Sequence, residues 1–323
     1  MSRYRINCPP SYYSRSERIM FINEQIDSWI TSEPFNDLVA IFGAAMPKVS
    51  GLDSKLSWAN EFVNIWDYRR IQSGGGERWT IKEEARTGKY ISQIMQAVEE
   101  LGLKNVTEPF FIPDYLLPLG GARKANLARC LTAKRVSDLE EGRKHIVVAL
   151  SGMRPINEIE IPYIQGYAPE AKTEFDAIGC GLEKAFSLIR NDYLERNVSN
   201  KNPNLSWAIR QYPSHQKNVE IWSLAAPSSD ESRRANSLDT FIFFLETFKI
   251  LKGTKILLIT SCVYVPFQEM KFMKLAIDHG FEIDCIGSDI DYNGPSVLIA
   301  ENYLQEVKAT INAFYSFYHE CKE

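Results

Sequence analysis

The first 105 or so residues of this chain repeat apolar side chains at helical spacing. Two runs place apolar residues three and four positions apart: Ile19, Ile22, Ile26 and Ile30, then Trp58, Phe62 and Trp66. A longer amphipathic run covers residues 81–103. Because this spacing puts apolar residues on one face of a helix, and because almost no strand pattern occurs here, residues 1–108 are predicted to form a helical region.

From Pro113 the pattern changes to short, nearly continuous apolar runs, each followed by a turn and a helical stretch. The predicted strands are 115–119, 146–150, 219–224, 256–260 and 281–286, and the predicted helices are 122–134, 173–193, 233–250, 266–279 and 296–318. Such alternation is typical of βαβ units, and continuously apolar strands suit a parallel sheet covered on both faces. Residues 109–323 are therefore predicted to form an α/β, three-layer, Rossmann-like domain with a mostly parallel sheet. Residues 197–217 are predicted to be a surface excursion.

Composition and charge indicate which classes of partner to expect. The chain has 37 lysines and arginines against 41 aspartates and glutamates, and this net charge of −4 gives no broad attraction to nucleic acid or an anionic membrane. The six cysteines are scattered without a C-x-x-C pair, so neither a zinc site nor a disulfide framework is expected. No apolar run approaches the ~20 residues of a membrane helix, and no signal-peptide pattern follows Met1. A cytoplasmic protein with a small-molecule partner is expected.

The segments that follow the predicted strands carry the candidate ligand-binding residues. In an open parallel sheet the ligand crevice lies outside the carboxyl ends of the strands, where helix amino termini offer free N–H groups. Four consecutive strand ends carry glycine or hydroxyl residues, and three add arginine, whose planar fork suits phosphate or carboxylate. The candidates are Gly120, Gly121, Arg123, Asn126, Ser151, Gly152, Arg154, Ser228, Ser229, Arg233, Arg234, Asn236, Thr260, Ser261 and Gln268. Turn chemistry explains any one segment by itself, so the prediction depends on their convergence.

Acid–base chemistry has fewer candidates. None of the four histidines follows a predicted strand, so a serine–histidine or cysteine–histidine pair is not expected. Glu174 and Tyr264 are the candidate catalytic residues. The alternative role for Glu174 is a favourable carboxylate in the first turn of a helix. Gly179 and Gly181 fall inside a predicted helix, where close packing and ligand approach are both open explanations.

The order of these motifs resembles the YdcF/SanA/ElyC family. The matching residues are Gly120-Gly121 with Arg123, Ser151-Gly152, Thr173-Glu174, Ser228 to Asn236, and Thr260-Ser261 with Tyr264 and Pro266. The resemblance covers residues 110–290 and implies a Rossmann-like fold with a ligand pocket. One member is described as binding S-adenosylmethionine, so the resemblance implies that cofactor here, with Glu174 at a matched acidic position. Met153, Val265 and Gln268 depart from the family pattern, which puts the role of its usual histidine in doubt.

Together these features predict a cytoplasmic enzyme acting on a small anionic metabolite, nucleotide-like or related to S-adenosylmethionine, by transferase or hydrolase chemistry. The alternative is a non-catalytic module that senses such a ligand. The amino-terminal helices are expected to form a cap, with Arg69, Arg70 or Arg78 over the substrate. A homodimer interface is the other role considered for these helices.

Overall fold

The computed structural model of the chain describes residues 4–74, 80–104, 107–139, 142–214, 218–288 and 298–322. The chain divides into two compact units. The helical unit comprises residues 1–107, 262–282 and 296–323, and the sheet unit comprises residues 108–261 and 283–295. The predicted domain of residues 109–323 therefore contributes segments to both units.

The helical unit contains the helices that the amino-terminal pattern predicts. Its elements are α1 (Arg15–Ile30), α2 (Glu33–Ile41), α3 (Leu52–Phe62), α4 (Tyr68–Ser73), α5 (Ala85–Lys89), α6 (Ile91–Glu100), α11 (Val265–His279) and α12 (Ala300–Glu320). The Trp29 ring of α1 lies 5.5 Å from that of Phe35 and 5.3 Å from that of Phe314, between ring centroids. Aromatic packing of this kind adds to the burial of apolar area. The predicted amino-terminal helical region is confirmed.

A buried arginine joins α1 to the end of α11. Arg18 is 1% exposed and donates hydrogen bonds to Ala276 O at 3.0 Å and to Phe281 O at 2.6 Å. α11 ends at Gly280, which has a φ of 73°. Because the last carbonyl groups of a helix lack partners within it and carry partial negative charge, the Arg18 guanidinium stabilises this helix end.

The sheet has seven strands in the order β3-β4-β5-β2-β1-β6-β7. The strands are β1 (Tyr115–Pro118), β2 (His145–Ser151), β3 (Leu194–Val198), β4 (Trp207–Tyr212), β5 (Val219–Ala225), β6 (Lys255–Ser261) and β7 (Glu282–Ser288). β1 pairs in parallel with both β2 and β6, and β2 pairs in parallel with β5. β4 is antiparallel to β3 and β5. The predicted α/β fold with a mostly parallel sheet is confirmed.

Helices cover both faces of the sheet. α7 (Ala125–Leu139) and α9 (Glu174–Ala185) share one apolar cluster with strand residues such as Leu116 and Ile221. The short helix α8 (Ile161–Ile164) lies between them in the chain. On the opposite face, α10 (Ser237–Phe248) packs Phe244 against Tyr115 and Phe248 against Trp222. Tyr115 and Trp222 are next to Leu116 and Ile221 in their strands. Side chains of successive strand residues point to opposite faces, so the unit has three layers.

The hairpin of β3 and β4 replaces the predicted surface excursion of residues 197–217, and the predicted helix 173–193 ends at Ala185. All five residues of β3 are exposed, so this edge strand lacks the apolar run that marks a buried strand. The helix ends early because Ser187 and Asn191 adopt left-handed backbone, with φ of 53° and 58°, which an α-helix cannot contain.

Close packing accounts for both glycines of α9. A Cβ on Gly181 would lie 3.2 Å from Asn126 O and 3.3 Å from Cys130 Sγ, both on α7. A Cβ on Gly179 would lie 2.7 Å from the Tyr212 hydroxyl. The glycines therefore let α9 approach its neighbours, in agreement with the packing explanation. Among the helices of the described residues, none has the length and apolar character needed to cross a membrane.

Candidate functional site

The strand order places a switch point beside β1. From β1 the chain passes to β2 on one side, and it later enters β6 on the other side of β1. In sheets of this kind the crevice at such a reversal, outside the carboxyl ends of the strands, is the usual ligand position. The residues that follow β1, β2 and β6 therefore define the candidate site.

Gly120 follows β1 and lies directly under a carboxylate. Its N–H donates to Leu150 O at 2.6 Å, which extends the pairing of β1 with β2. A Cβ on Gly120 would overlap Glu174 Oε1 and would lie 3.0 Å from Leu150 O. Glu174 is the first residue of α9, which Thr173 caps by accepting a hydrogen bond from Asp176 N at 3.1 Å. The glycine is thus what allows the Glu174 carboxylate to lie over the end of β1.

Arg154 holds two carboxylates together. Its Nε donates to Glu174 Oε2 at 2.8 Å, and its two terminal nitrogens donate to the oxygens of Glu160 at 2.7 Å and 3.0 Å. The side chains of Arg154 and Glu174 are 17% and 15% exposed, and that of Glu160 is fully buried. Charge-assisted, two-pronged pairs of this kind are strong and geometrically specific.

The ion pair fixes the charge state of Glu160. Burial by itself would raise the pKa of the Glu160 carboxyl, but hydrogen bonds from Arg154 and Asn157 outweigh it, so the pKa lies below its ordinary value of 4.5. For Arg154, burial would lower the pKa, and its bonds to Glu160 and Glu174 raise it instead. Both groups are therefore ionised at neutral pH.

Glu160 also anchors the loop after β1. It accepts a hydrogen bond from Arg123 N at 3.3 Å. Arg123 has a left-handed φ of 57°, its carbonyl accepts a hydrogen bond from the Tyr167 hydroxyl at 2.8 Å, and its guanidinium lies 4.6 Å from the centroid of the Tyr163 ring. The backbone and side chain of Arg123 are thus both held by residues that follow β2.

Arg129 is a site residue that the sequence argument missed. It is 3% exposed and donates to Leu119 O at 2.7 Å and Gly120 O at 2.5 Å from one nitrogen, and to Ser261 Oγ at 3.1 Å from another. Its guanidinium therefore spans the carboxyl ends of β1 and β6. Arg129 lies in the second turn of α7 and not directly after a strand. Its signal in the sequence is an arginine that falls among the apolar residues of that helix.

The residues after β5 act mainly as a helix cap. Asn236 accepts hydrogen bonds from Leu238 N and Asp239 N at the start of α10. Arg233 pairs with Asp239 at 2.6 Å and donates to Ser229 Oγ at 2.9 Å. Burial would raise the pKa of Asp239, but its bonds from Arg233 and Ser229 lower it. This loop still borders the site, because a Cβ on Gly152 would lie 3.8 Å from Ala235 Cβ.

The remaining predicted residues fall in several places. Asn126, 1% exposed, accepts a hydrogen bond from Gly121 N at 2.8 Å, and Ser228 is buried. Ser151, Thr260 and Ser261 are buried ends of β2 and β6, and Arg234 is exposed. Tyr264, Gln268, Arg69 and Arg70 belong to the helical unit, and Arg78 lies outside the described residues. Within the described ranges, no group of three or more histidine, cysteine or acidic side chains could hold a metal ion.

Comparisons with known proteins place this chain near a mycobacterial group. Residues 14–102 match the family model described as the Rv3785 N-terminal domain. The chain is also similar to uncharacterized protein Rv3785 of Mycobacterium tuberculosis and uncharacterized protein Mb3814 of Mycobacterium bovis, with 29% identity to each over 95% of this chain and 92% of the relative. No solved structure matches the chain.

These matches correct the family that the motif order suggested. The YdcF/SanA/ElyC resemblance was wrong, because the family model that matches residues 14–102 is the Rv3785 N-terminal domain and nothing indicates the YdcF/SanA/ElyC family. The quoted motifs are glycines, hydroxyl residues and arginines after strands. The structure shows several of them capping helices or closing turns, and such residues recur at these positions for local reasons in unrelated sheets.

Proposed function

We propose that this protein is a cytoplasmic enzyme that acts on a small metabolite with an anionic group, bound at the carboxyl ends of β1, β2 and β6. Glu174 is its acid–base residue. The observation that carries the proposal is the position of Glu174 Oε1 over Gly120, at the switch point of the sheet. S-adenosylmethionine was suggested only by the overturned resemblance and forms no part of the proposal.

The two oxygens of Glu174 differ in a way that suits proton transfer. Oε2 accepts a hydrogen bond from Arg154 at 2.8 Å, whereas Oε1 accepts none from any described residue. A carboxylate fixed through one oxygen and open at the other can accept a proton from a hydroxyl or amine of a bound ligand. A general base of this kind contributes roughly 10² to 10⁴ in rate.

The charge of the ligand follows from the helices at the site. α7 begins at Ala125, four residues after Gly121, and α9 begins with Glu174, whose Oε1 lies over Gly120. Helix amino termini carry partial positive charge and N–H groups without helical partners. An anionic group on the ligand would be stabilised there, leaving Glu174 to the reacting atom. No disulfide joins the six cysteines, all of which are described residues, as is usual for proteins of a reducing compartment such as the cytoplasm.

A non-catalytic sensor is the second candidate, and one observation favours it. Arg154 and Arg233, both expected to bind the ligand, are already paired with carboxylates at 2.7 Å and 2.6 Å. If this network only shapes a binding surface, Glu174 supports a ligand without reacting with it. The two candidates differ in one measurable respect, which is whether the ligand is chemically changed.

The test combines a ligand screen with two matched variants. Purified protein is incubated with phosphorylated and carboxylated metabolites, and the melting temperature and the masses of the products are recorded. Glu174→Gln should still bind the hit but lose at least 100-fold in turnover, because the amide cannot accept the proton. Glu246→Gln, an exposed change on α10, should leave both unchanged. If metabolites bind but none is converted to a product, the result supports the sensor. Gly120→Ala displaces Glu174, so unchanged binding in that variant would contradict the location of the site.

A further inference from the structure

A small cavity of about 130 Å³ lies in the sheet unit beside α9 and the β3–β4 hairpin. Its lining includes Asp176, Cys180, Glu183, Arg190, Asn191 and Arg210. This cavity is separate from the carboxyl-end site, and its chemistry is independent of the proposed enzyme activity.

One wall of the cavity is a rigid arginine. The Arg210 guanidinium lies between two rings, 4.3 Å from the centroid of Phe175 and 4.5 Å from that of Tyr193. It donates to Asp176 Oδ1 at 3.1 Å and to Glu195 Oε2 at 2.6 Å, and its side chain is 13% exposed. Stacking and two ion pairs hold Arg210 in place, so its charge is already balanced.

Glu183 faces the same cavity without such a balance. It is 8% exposed, and one carboxylate oxygen accepts a single hydrogen bond from Asn191 N at 2.9 Å. Asn191 adopts the left-handed φ of 58° that directs this N–H. Arg190, the other arginine of the lining, pairs with Glu170 at 3.2 Å. Among the described residues, no basic side chain forms an ion pair with Glu183.

The environment of Glu183 disfavours an uncompensated negative charge. Burial raises the pKa of the Glu183 carboxyl, against the opposing effects of the Asn191 hydrogen bond and the two nearby arginines. A buried carboxylate without its own cation is costly. Across the whole lining, three carboxylates face two guanidiniums, which leaves an excess of one negative charge for a ligand to neutralise.

We propose that this cavity binds a primary ammonium group, with Glu183 as its counter-ion. The volume is about that of four water molecules at ~30 Å³ each, which fits an alkylammonium head. An ammonium group has three N–H donors. Glu183, Asn191 and Tyr193 line the cavity, and each has a side-chain oxygen that can accept a hydrogen bond from such donors. The ligand class is therefore a small primary amine, or the amine end of a longer metabolite.

Methylammonium chloride is the probe, titrated at pH 8 into the full-length protein and compared with sodium and potassium chloride at equal ionic strength. Melting temperature and calorimetric heat are the readouts. Methylammonium is expected to stabilise the protein beyond either salt, and Glu183→Gln is expected to weaken its binding at least 10-fold. Gln keeps the acceptor for Asn191 N, so this variant should fold. Glu246→Gln, an exposed acid on α10 that does not line the cavity, is the control, with less than a twofold change expected.

Two further measurements locate the binding. Cys180 lines the cavity, so methylammonium should slow its alkylation, as measured by peptide mass spectrometry. Alkylation of Cys321, in the helical unit, should not slow. Affinity should fall as the pH is lowered through the raised pKa of Glu183, because the protonated carboxyl no longer balances a cation. Equal stabilisation by potassium and methylammonium, unchanged binding in Glu183→Gln, or an unprotected Cys180 would each overturn the proposal.

Discussion

Replacing Glu160 with glutamine tests whether the buried ion pair organises the candidate site. Glu160 accepts two hydrogen bonds from Arg154, at 2.7 Å and 3.0 Å, and one from Asn157 N at 2.9 Å. A glutamine has one acceptor oxygen, and its NH₂ group would face N–H donors. Arg154 would keep only Glu174 as an anionic partner.

The expected cost follows from the burial of the pair. Breaking a buried ion pair by removing one partner typically costs 3–5 kcal/mol, because the remaining charge is left without compensation. Glu174 still neutralises part of the Arg154 charge, at 2.8 Å, so the expected loss of unfolding free energy is about 3 kcal/mol. The exposed pair of Arg190 and Glu170 provides the contrast: Glu170→Gln should cost less than about 1 kcal/mol.

Urea denaturation measures this difference, with hydrogen exchange to assign it to the sheet unit. Amides of β1 and β2 should exchange faster in Glu160→Gln, while those of α1 and α12 should not change. A double-mutant cycle with Arg154→Met should give a coupling energy of about 2 kcal/mol. Equal losses for Glu160→Gln and Glu170→Gln, with no coupling to Arg154, would refute the organising role of the pair.

Two other perturbations have definite signs. Arg18→Met keeps most of the buried stem but removes the donors to Ala276 O and Phe281 O. Each carbonyl left without a partner costs about 1–3 kcal/mol, so thermal unfolding should show that the free energy of unfolding falls by roughly 3 kcal/mol. Arg18→Lys should restore part of this loss. The pKa values of Glu160 and Asp239 in the folded protein lie below their ordinary values of 4.5 and 3.8. The two carboxylates therefore stabilise the folded state above pH ~4.5, and this stabilisation is lost as the pH falls below the ordinary values and through the folded-state values. Melting curves between pH 7 and 3 should show this loss, reduced in Glu160→Gln; an equal acid dependence in that variant would contradict it.

Residue identity alone misled the assignment of roles at the site. Arg154 and Arg233 have the chemistry of anion-binding residues, and both follow strands as predicted. The structure pairs them with Glu160 and Asp239, six residues further along the chain in each case. Spacing of this kind along irregular segments does not specify contact, because the loop conformation decides whether two such side chains meet. The same limitation explains why a motif order suggested the wrong family.

The sequence by itself determined the helical region and the strands β1, β2, β5, β6 and β7, because apolar periodicity reports directly which face or run of a segment is buried. It did not identify β3, whose five residues are all exposed, or β4, which lies within the predicted surface excursion of residues 197–217. Only the tertiary structure brought Arg129 to the ends of β1 and β6 and placed Glu174 over Gly120. These contacts join segments that are 9 to 132 residues apart in the chain. Strand order and close backbone approach decide which distant residues meet, and neither property follows from any short segment of the sequence.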